Sequence, residues 1–421
     1  MIFIYRIIIN IILILSPLII IYRLFKKKEN LIRFKEKFCF FSKKKIKGKL
    51  IWIHGASVGE ILSVVPLIEK LEKNKKITQI LITSNTLSSS KILSNLKLKK
   101  TVHQFFPLDT KYNSKKFLMY WKPSIAIFID SEIWPNMLLN VKKKAIPLIL
   151  LNARITKKTF NKWIKFHKTA KVLFQKFDIC LTSSEQSKKY LKILGAKNIK
   201  YIGNLKFTQI EENEEISNNN LKKKFSSRKI WCASSTHKGE EKYCALVHKK
   251  LKSQYKNLLT IIIPRHIDRV KEITNEMEKF GLKTYTHSSK KKMKKNTDIY
   301  LVDSYGKTKS FFRICEIVFL GGSIIKHGGQ NPLEPARYGC KVMHGPNVWN
   351  FKEIYDLLNK FKISNKVNNM FQISKNIDYA FKNKINSKDI KKKINNLGNK
   401  ILMNTLNEVN YYIEKYEVKK T

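Results

Sequence analysis

Three carboxylates and a lysine carry the chemistry available to the first half of this chain. Glu60 closes the stretch IWIHGASVGE, Asp130 and Glu132 lie in FIDSEIWPN, and Lys206 lies in GNLKF. One carboxylate of such a set can serve as a general base while another stabilises a cationic, oxocarbenium-like transition state. Plainer roles compete. A glutamate in a first helical turn is favoured by the helix dipole alone, and an aspartate at a strand terminus can be a helix N-cap beside a solvated glutamate. Lys206 is one of 75 lysines, distinguished by its place at the end of a strand. The residue types leave both readings open.

The second half offers polar strand ends suited to an anionic ligand. Pro264-Arg265-His266 closes LLTIIIP, Ser234-Ser235-Thr236-His237 closes another apolar run, and Asp303-Ser304-Tyr305-Gly306 supplies a small turn. The segment LGGSIIKHGGQNPLEPA runs from a strand through Gly321, Gly322 and Ser323 to a second glycine pair. It then enters a helix start at Asn331, Pro332, Leu333 and Glu334. Paired glycines allow close backbone approach, a helix start presents N–H groups to an anion, and Glu334 suits ribose hydroxyls. Glycine turns also occur in purely structural loops, so it is the convergence of four such ends that points to a nucleotide crevice.

These residues need strands and helices to hold them. Leu50–Ile53 predicts a strand, His54–Ser57 a turn, and ILSVVPLIEKLEK an amphipathic helix, with small residues at Ser57 and Gly59 that let a substrate approach the backbone. Further strands are expected at residues 77–84, 101–109, 124–130, 146–154, 178–184 and 199–207, and in the second half at 229–236, 258–266, 297–304, 316–323 and 340–346. Strands alternating with helical patterns predict two parallel α/β halves facing a cleft, with ligands at the carboxyl ends of the strands. Residues 208–224, an acidic cluster followed by Asn and Lys runs, read as the linker. The domains expected are an anchor at 1–25, a first α/β domain at 26–207, a second at 225–395 and a terminal helix at 396–421.

The run Ile7–Tyr22 is apolar, flanked by Arg6 and Arg23 and interrupted by Asn10, Ser16 and Pro17. Its 16 residues rise about 24 Å against a hydrocarbon core of about 30 Å, short but extendable by snorkelling arginines. No small-x-small cleavage site follows. Lysines 26–28 do, so an uncleaved anchor with the body on the cytoplasmic side is expected. At 421 residues and 43% hydrophobic, the chain is long and apolar enough for two folded domains. The formal charge of +53 resembles a nucleic-acid signature, yet only nine of the 84 basic residues are arginine and lysine pairs recur everywhere. That distribution reads as a solvated basic surface, attractive to an anionic membrane or a phosphorylated lipid, and no specific nucleic acid is expected. The six cysteines form no CxxC pair and no zinc spacing, so reduced thiols and no metal are expected.

Taken in order, WIHGASVGE, DSEIWPN, LNAR, GNLKF, ASSTHKGEE, PRH, GGS with GGQNPLEPA, and GPN followed by NFKEI resemble the 3-deoxy-D-manno-octulosonic acid (Kdo) transferases. The resemblance runs from the amino-terminal anchor to about Ile354. It implies an α/β fold of GT-B type with two Rossmann-like domains. It also implies an inner-membrane location and metal-independent, inverting transfer of Kdo from CMP-Kdo to the lipid A precursor, without a cofactor. In that family pattern Glu60 is the base, and Asp130 and Lys206 stabilise the transition state and the departing phosphate. Arg265, His266, Tyr305, Gly306, Lys307 and Asn331–Glu334 hold CMP, and Ser57, Gly59 and Glu132 lie on the acceptor side. Three positions depart from the pattern: Asp130 replaces a glutamate, Gln330 a histidine and Lys307 a glutamate. The alternatives are a GT-B transferase using a UDP-sugar and, from another class, a membrane-tethered basic protein that binds nucleic acid.

Overall fold

The apolar amino-terminal run folds as one helix, α1 (Ile2–Phe25), in a computed structural model that describes residues 1–209 and 218–418. At 24 residues, α1 is longer than the uninterrupted apolar run and rises about 36 Å. By length and composition it is sufficient to cross a membrane. Pro17 does not break it. Proline removes the N–H that would bond the Leu13 carbonyl, and the Ser16 hydroxyl donates to that same carbonyl at 2.6 Å.

The chain divides into two units, Met1–Gln209 with Gly398–Thr421, and Ile210–Leu397. In the first, seven parallel strands, β1 (Leu50–His54), β2 (Gln79–Ser84), β3 (Thr101–Phe105), β4 (Ile125–Ile129), β5 (Leu148–Ala153), β6 (Ile179–Thr182) and β7 (Ile199–Tyr201), lie in the order 3-2-1-4-5-6-7. β1, β2, β4, β5 and β6 are buried along their whole length, which is why they read as continuous Ile/Leu runs instead of alternating ones. The order in which strands are added reverses between the parallel neighbours β1 and β4, so their carboxyl ends flank the crevice of an open sheet.

The helices after the strands begin in a uniform way. Ser57, Thr86, Thr110, Thr156 and Ser184 each accept, on the side-chain hydroxyl, the backbone N–H three residues on. Ser57 opens α2 (Val58–Glu72) in this manner. α3 (Pro135–Lys143) is the exception. Its N-cap Trp134 has no capping side chain, and the buried Asp109 carboxylate accepts the Asn136 and Met137 N–H groups instead, at 3.0 and 2.8 Å.

The second unit repeats the plan with β8 (Lys229–Thr236), β9 (Leu258–Pro264), β10 (Thr284–Thr286), β11 (Ile299–Leu301), β12 (Ile317–Leu320), β13 (Lys341–His344) and β14 (Ser364–Lys366), in the order 10-11-9-8-12-13-14. Its reversal lies between β8 and β12. β10 and β14 were not anticipated from sequence: they are three-residue edge strands, TYT and SNK, with no apolar run to mark them. α4 (Glu240–Lys252) follows β8 and α5 (Leu333–Arg337) follows the second glycine pair.

Of the expected linker, residues 210–217 lie outside the described residues, and Asn218–Phe225 is helical. The last helix, α6 (Ser387–Val418), starts before the expected residue 396. From Gly398 onward it counts with the first unit, where Thr405, Val409 and Ile413 are buried. All six cysteines are buried free thiols.

Candidate active site

In the first unit the chemistry gathers where β1 and β4 end. Glu60 stands in the first turn of α2. One carboxylate oxygen accepts the Ala56 N–H at 2.8 Å and the other the Ser57 hydroxyl at 2.7 Å. The glutamate thus belongs to the helix entry as the plainer reading supposed, in a capping-box-like exchange with Ser57. It is more than a dipole partner, however. Burial pushes its carboxyl up to about 7, with the charges of Glu132 and Asp130 adding to the rise and the Ser57 hydrogen bond opposing it. Gly59 beside it is exposed, and a Cβ there would meet nothing within 4 Å, so the backbone at this turn is open to a ligand.

Asp130 terminates β4 in the left-handed region, φ 56°. It does not cap α3, which excludes the simple N-cap role. Its Oδ1 accepts Nδ2 of Asn152 at 2.5 Å. Burial raises its pKa against the pull of Asn152, Lys206 and Arg154. Lys206 is shifted the opposite way: burial lowers its pKa, while Asp130 and Glu60 hold the proton on. Glu132 accepts the Trp134 indole N–H at 2.8 Å and lies 3.4 Å from Nε2 of the buried His54. Burial lowers the pKa of that imidazole, against the pull of Glu132. The charges of Asp130 and Glu132 thus act on Glu60, and those of Asp130 and Glu60 act on Lys206.

Asn152 is the organiser that the sequence did not single out. It sits at a bulge of β5, φ 53°, where the register with β6 slips between Leu151 and Ala153. Its Nδ2 holds Asp130, and its Oδ1 accepts the Leu205 N–H at 2.9 Å, adjacent to Lys206. The only advance signal was its place in LNAR, a polar pair closing an apolar strand.

The second unit uses the same device at Ser235, φ 57°, where β8 slips against β9 between Ser234 and Thr236. Beyond it Gly239, φ 92°, opens α4, and the fully buried Glu240 becomes the hub. Its carboxylate accepts N–H groups from Gly322 at 2.6 Å, Ser323 and Ile324 at 3.0 Å, and His237 at 3.1 Å. A Cβ at Gly321 would stand 2.4 Å from the Ser235 carbonyl oxygen, so only glycine fits this turn. The Ser323 hydroxyl accepts the Gly345 N–H at 2.8 Å. Glu240 was present in the ASSTHKGEE motif, but nothing in the sequence marked its carboxylate as buried.

Around this turn His237 lies against His327 and His266, with ring centroids 4.1 and 5.9 Å apart. Burial, followed by those two imidazoles, lowers the pKa of His237 to about 4. Arg265 and His266 are exposed beside it, and the Arg265 N–H is fixed on the Thr236 carbonyl at 3.0 Å. Gly329 N–H bonds the Gly322 carbonyl at 2.8 Å, which brings the two glycine pairs together. α5 has only five residues, and Asn331 Oδ1 accepts the Leu333 N–H at 3.2 Å, so its first turn is partly satisfied from within. Glu334 is half-buried in that turn, whereas Tyr305, Gly306 and Lys307 form an exposed turn after β11. A separate open cavity of ≈ 480 Å³ lies at the amino ends of β8 and β12, the opposite edge from these residues, and takes no part in the site.

With the geometry in hand, comparison with known proteins gives a consistent result. Residues 32–209 match the family model for 3-deoxy-D-manno-octulosonic-acid transferase (kdotransferase). The chain is 34% identical over 334 residues to the 3-deoxy-D-manno-octulosonic acid transferase of Rickettsia bellii, covering 78% of this chain and 79% of that relative. It is 35% identical over 302 residues to the Rickettsia prowazekii enzyme of the same name, covering 71% of this chain but 65% of the relative, just under two thirds of its length. In fold it is similar to a UDP-GlcNAc 2-epimerase from Neisseria meningitidis, with a TM-score of 0.58 at 13% identity over 87% of this chain and 100% of that one. The architecture is accordingly α/β of GT-B type. Ordered motifs, the family-model match and relatives aligned over most of their length lead to one conclusion: the chain belongs to the 3-deoxy-D-manno-octulosonic acid transferase family.

Proposed function

We propose that this protein transfers Kdo from CMP-Kdo to the lipid A precursor, lipid IVA, by an inverting displacement in which Glu60 is the general base. The observation that carries the reading is Glu60 itself, a carboxyl pushed up to about 7 by burial and by two neighbouring carboxylates at the edge of β1 and β4. A base poised near neutrality accepts a proton in the transition state most effectively.

In this reading the acceptor hydroxyl passes its proton to Glu60 as its oxygen bonds to the anomeric carbon of Kdo. The bond from that carbon to the CMP phosphate oxygen breaks, and CMP departs with the electron pair. Asp130 faces the positive charge that develops on the sugar, and Lys206 the negative charge on the leaving phosphate. Ser57, Gly59 and Glu132 line the acceptor side. Arg265, His266, Tyr305, Gly306, Lys307, the Gly321–Ser323 turn and Asn331–Glu334 hold the donor. The reaction as written needs neither metal nor cofactor.

The family and the apolarity of α1 support a body held at the cytoplasmic face of the inner membrane. Because Tyr5 and Arg6 at its start bond to the body and Ile9 and Ile20 are buried, α1 attaches by its exposed apolar face, lying along the membrane where the lysine-rich segment after it meets anionic lipid. The test is to incubate the purified protein with CMP-Kdo generated in place and a tetra-acylated lipid A precursor, and to read product mass. Kdo addition by the parent and its loss in Glu60→Ala support the reading. Transfer at the parent rate by Glu60→Ala removes the base, and thermal stabilisation by UDP alone, not CMP, removes the donor.

A further inference from the structure

The first turn of α1 is bonded directly to the groups that hold α3. Tyr5 Oη donates to Asp109 Oδ2 at 2.8 Å, and Arg6 Nε donates to Asn136 Oδ1 at 2.9 Å. Asp109 and Asn136 are each 1% exposed and are themselves interlocked. Besides the Asn136 and Met137 N–H groups on the Asp109 carboxylate, Asn136 Nδ2 donates to the Asp109 carbonyl at 2.6 Å. Asp109 is therefore a helix cap supplied from 27 residues upstream, and Tyr5 and Arg6 complete it from more than a hundred residues further away.

What this cap holds matters because of the residues just ahead of it. Asn136 follows Trp134-Pro135, Trp134 donates its indole N–H to Glu132, and Glu132 stands 3.4 Å from His54 and follows Asp130 in the same turn. Pro135 fixes the backbone dihedral between the cap and Trp134, leaving little slack in the connection. Any shift of the first turn of α3 is passed to the two carboxylates. Reacting groups displaced by an ångström lose much of their rate without losing their ligands.

We propose that Tyr5 and Arg6 are positioning residues for the Asp130–Glu132 turn, so that the amino-terminal helix takes part in catalysis as well as in attachment. The proposal rests on the reading of Glu60, Asp130 and Glu132 as one catalytic cluster, and its test separates the two. Full-length protein in detergent, where tethering to a bilayer gives no advantage, is compared as parent, Tyr5→Phe, Tyr5→Phe/Arg6→Met and Tyr5→Phe/Arg6→Lys, with Glu60→Gln alongside. Two readouts are taken: steady-state Kdo transfer at saturating substrates, and backbone hydrogen exchange at Asn136 and Met137.

The double variant with methionine is expected to lower kcat about tenfold or more with KM nearly unchanged, and to speed exchange at both amides. Lysine at position 6, which can still donate to Asn136, is expected to recover part of both. Unchanged exchange overturns the proposal, and so does faster exchange with an unchanged kcat. A raised acceptor KM with kcat intact assigns α1 to attachment alone. If Glu60→Gln keeps full activity, the catalytic reading fails instead, and the exchange result still decides whether α1 holds α3. Should the double variants not fold, Tyr5→Phe alone, which removes a single hydroxyl, decides by the same two measurements.

Discussion

Asn152 joins Asp130 to the Lys206 loop through one side chain: its Nδ2 lies 2.5 Å from the aspartate and its Oδ1 2.9 Å from the N–H of Leu205. The bond to Leu205 is buried and that to Asp130 partly so, and both ends lead to groups that would carry charge in the reaction. Asn152→Ala is expected to cost about 1–3 kcal/mol of stability, because a buried carboxylate and a buried N–H lose partners together. It should also lower kcat about 10- to 100-fold with a smaller effect on KM. Denaturant unfolding and kinetics at saturating substrate check the two parts separately, and a variant with parent kcat would remove Asn152 from the positioning scheme.

Glu60 sets the pH dependence. The rate is expected to rise with pH and reach half its limit near the folded value of about 7, since only the carboxylate accepts a proton. Glu60→Gln should fall about 10²- to 10⁴-fold and lose that limb of the profile.

Stability should move the other way. The folded values of Glu60 and Asp109, both about 7, lie above their ordinary values of 4.5 and 3.8. Between those limits the folded state binds more protons than the unfolded chain. Their contribution is therefore fully present below about pH 4 and is lost as pH climbs through about 7. Comparing denaturation midpoints at about pH 5 and about pH 8, Glu60→Gln should lose less stability than the parent across the interval. An equal loss in both proteins contradicts the assignment.

The two glycine turns predict opposite outcomes for the same small change. Gly321→Ala places a Cβ 2.4 Å from the Ser235 carbonyl oxygen and 2.6 Å from the Thr236 Cα, backbone atoms that cannot step aside. A loss of about 1–3 kcal/mol or more is expected. Gly59→Ala meets nothing within 4 Å and should leave the melting temperature alone, with any effect confined to the acceptor KM. Thermal melts of both proteins and acceptor titrations of the second test the pair.

Glu240 should matter to the donor without touching it. In Glu240→Gln one acceptor oxygen becomes an NH₂ group facing N–H donors, so the Gly322–Ile324 turn loses part of its anchor. The expected results are a melting temperature lowered by the equivalent of about 1–3 kcal/mol and a weaker stabilisation by CMP. Parent-like stabilisation by CMP would show that the turn keeps its shape without the carboxylate.

The architecture was legible because both sheets are parallel and buried on both faces: Ile, Leu and Val runs such as ILITS and IAIFI read as strands with no alternation to interpret. The edge strands at Thr284–Thr286 and Ser364–Lys366 lacked that signal, since edges are held by pairing more than by apolar burial. At the site, Glu60 and Asp130 could be named from small residues and strand ends. Asn152, Glu240 and Asp109 could not, because each acts by accepting or donating hydrogen bonds across strands distant in sequence. Spacing along the chain carries no record of such contacts.

Three of the nine arginines serve as cross-ties within the fold. Arg228 spreads its guanidinium over four backbone carbonyls, of Asn257, Leu258, Lys295 and Thr297, at 2.6 to 3.0 Å. Arg33 grips both oxygens of Glu36 together with Ser90 and His103, and Arg269 grips both oxygens of Glu241. A compact ammonium cannot reproduce a planar fork of five donors. Amine-selective acylation would therefore strip most of the positive charge from this protein while leaving these arginine cross-ties intact, and would cut only the lysine ties such as Lys142 to Asp178.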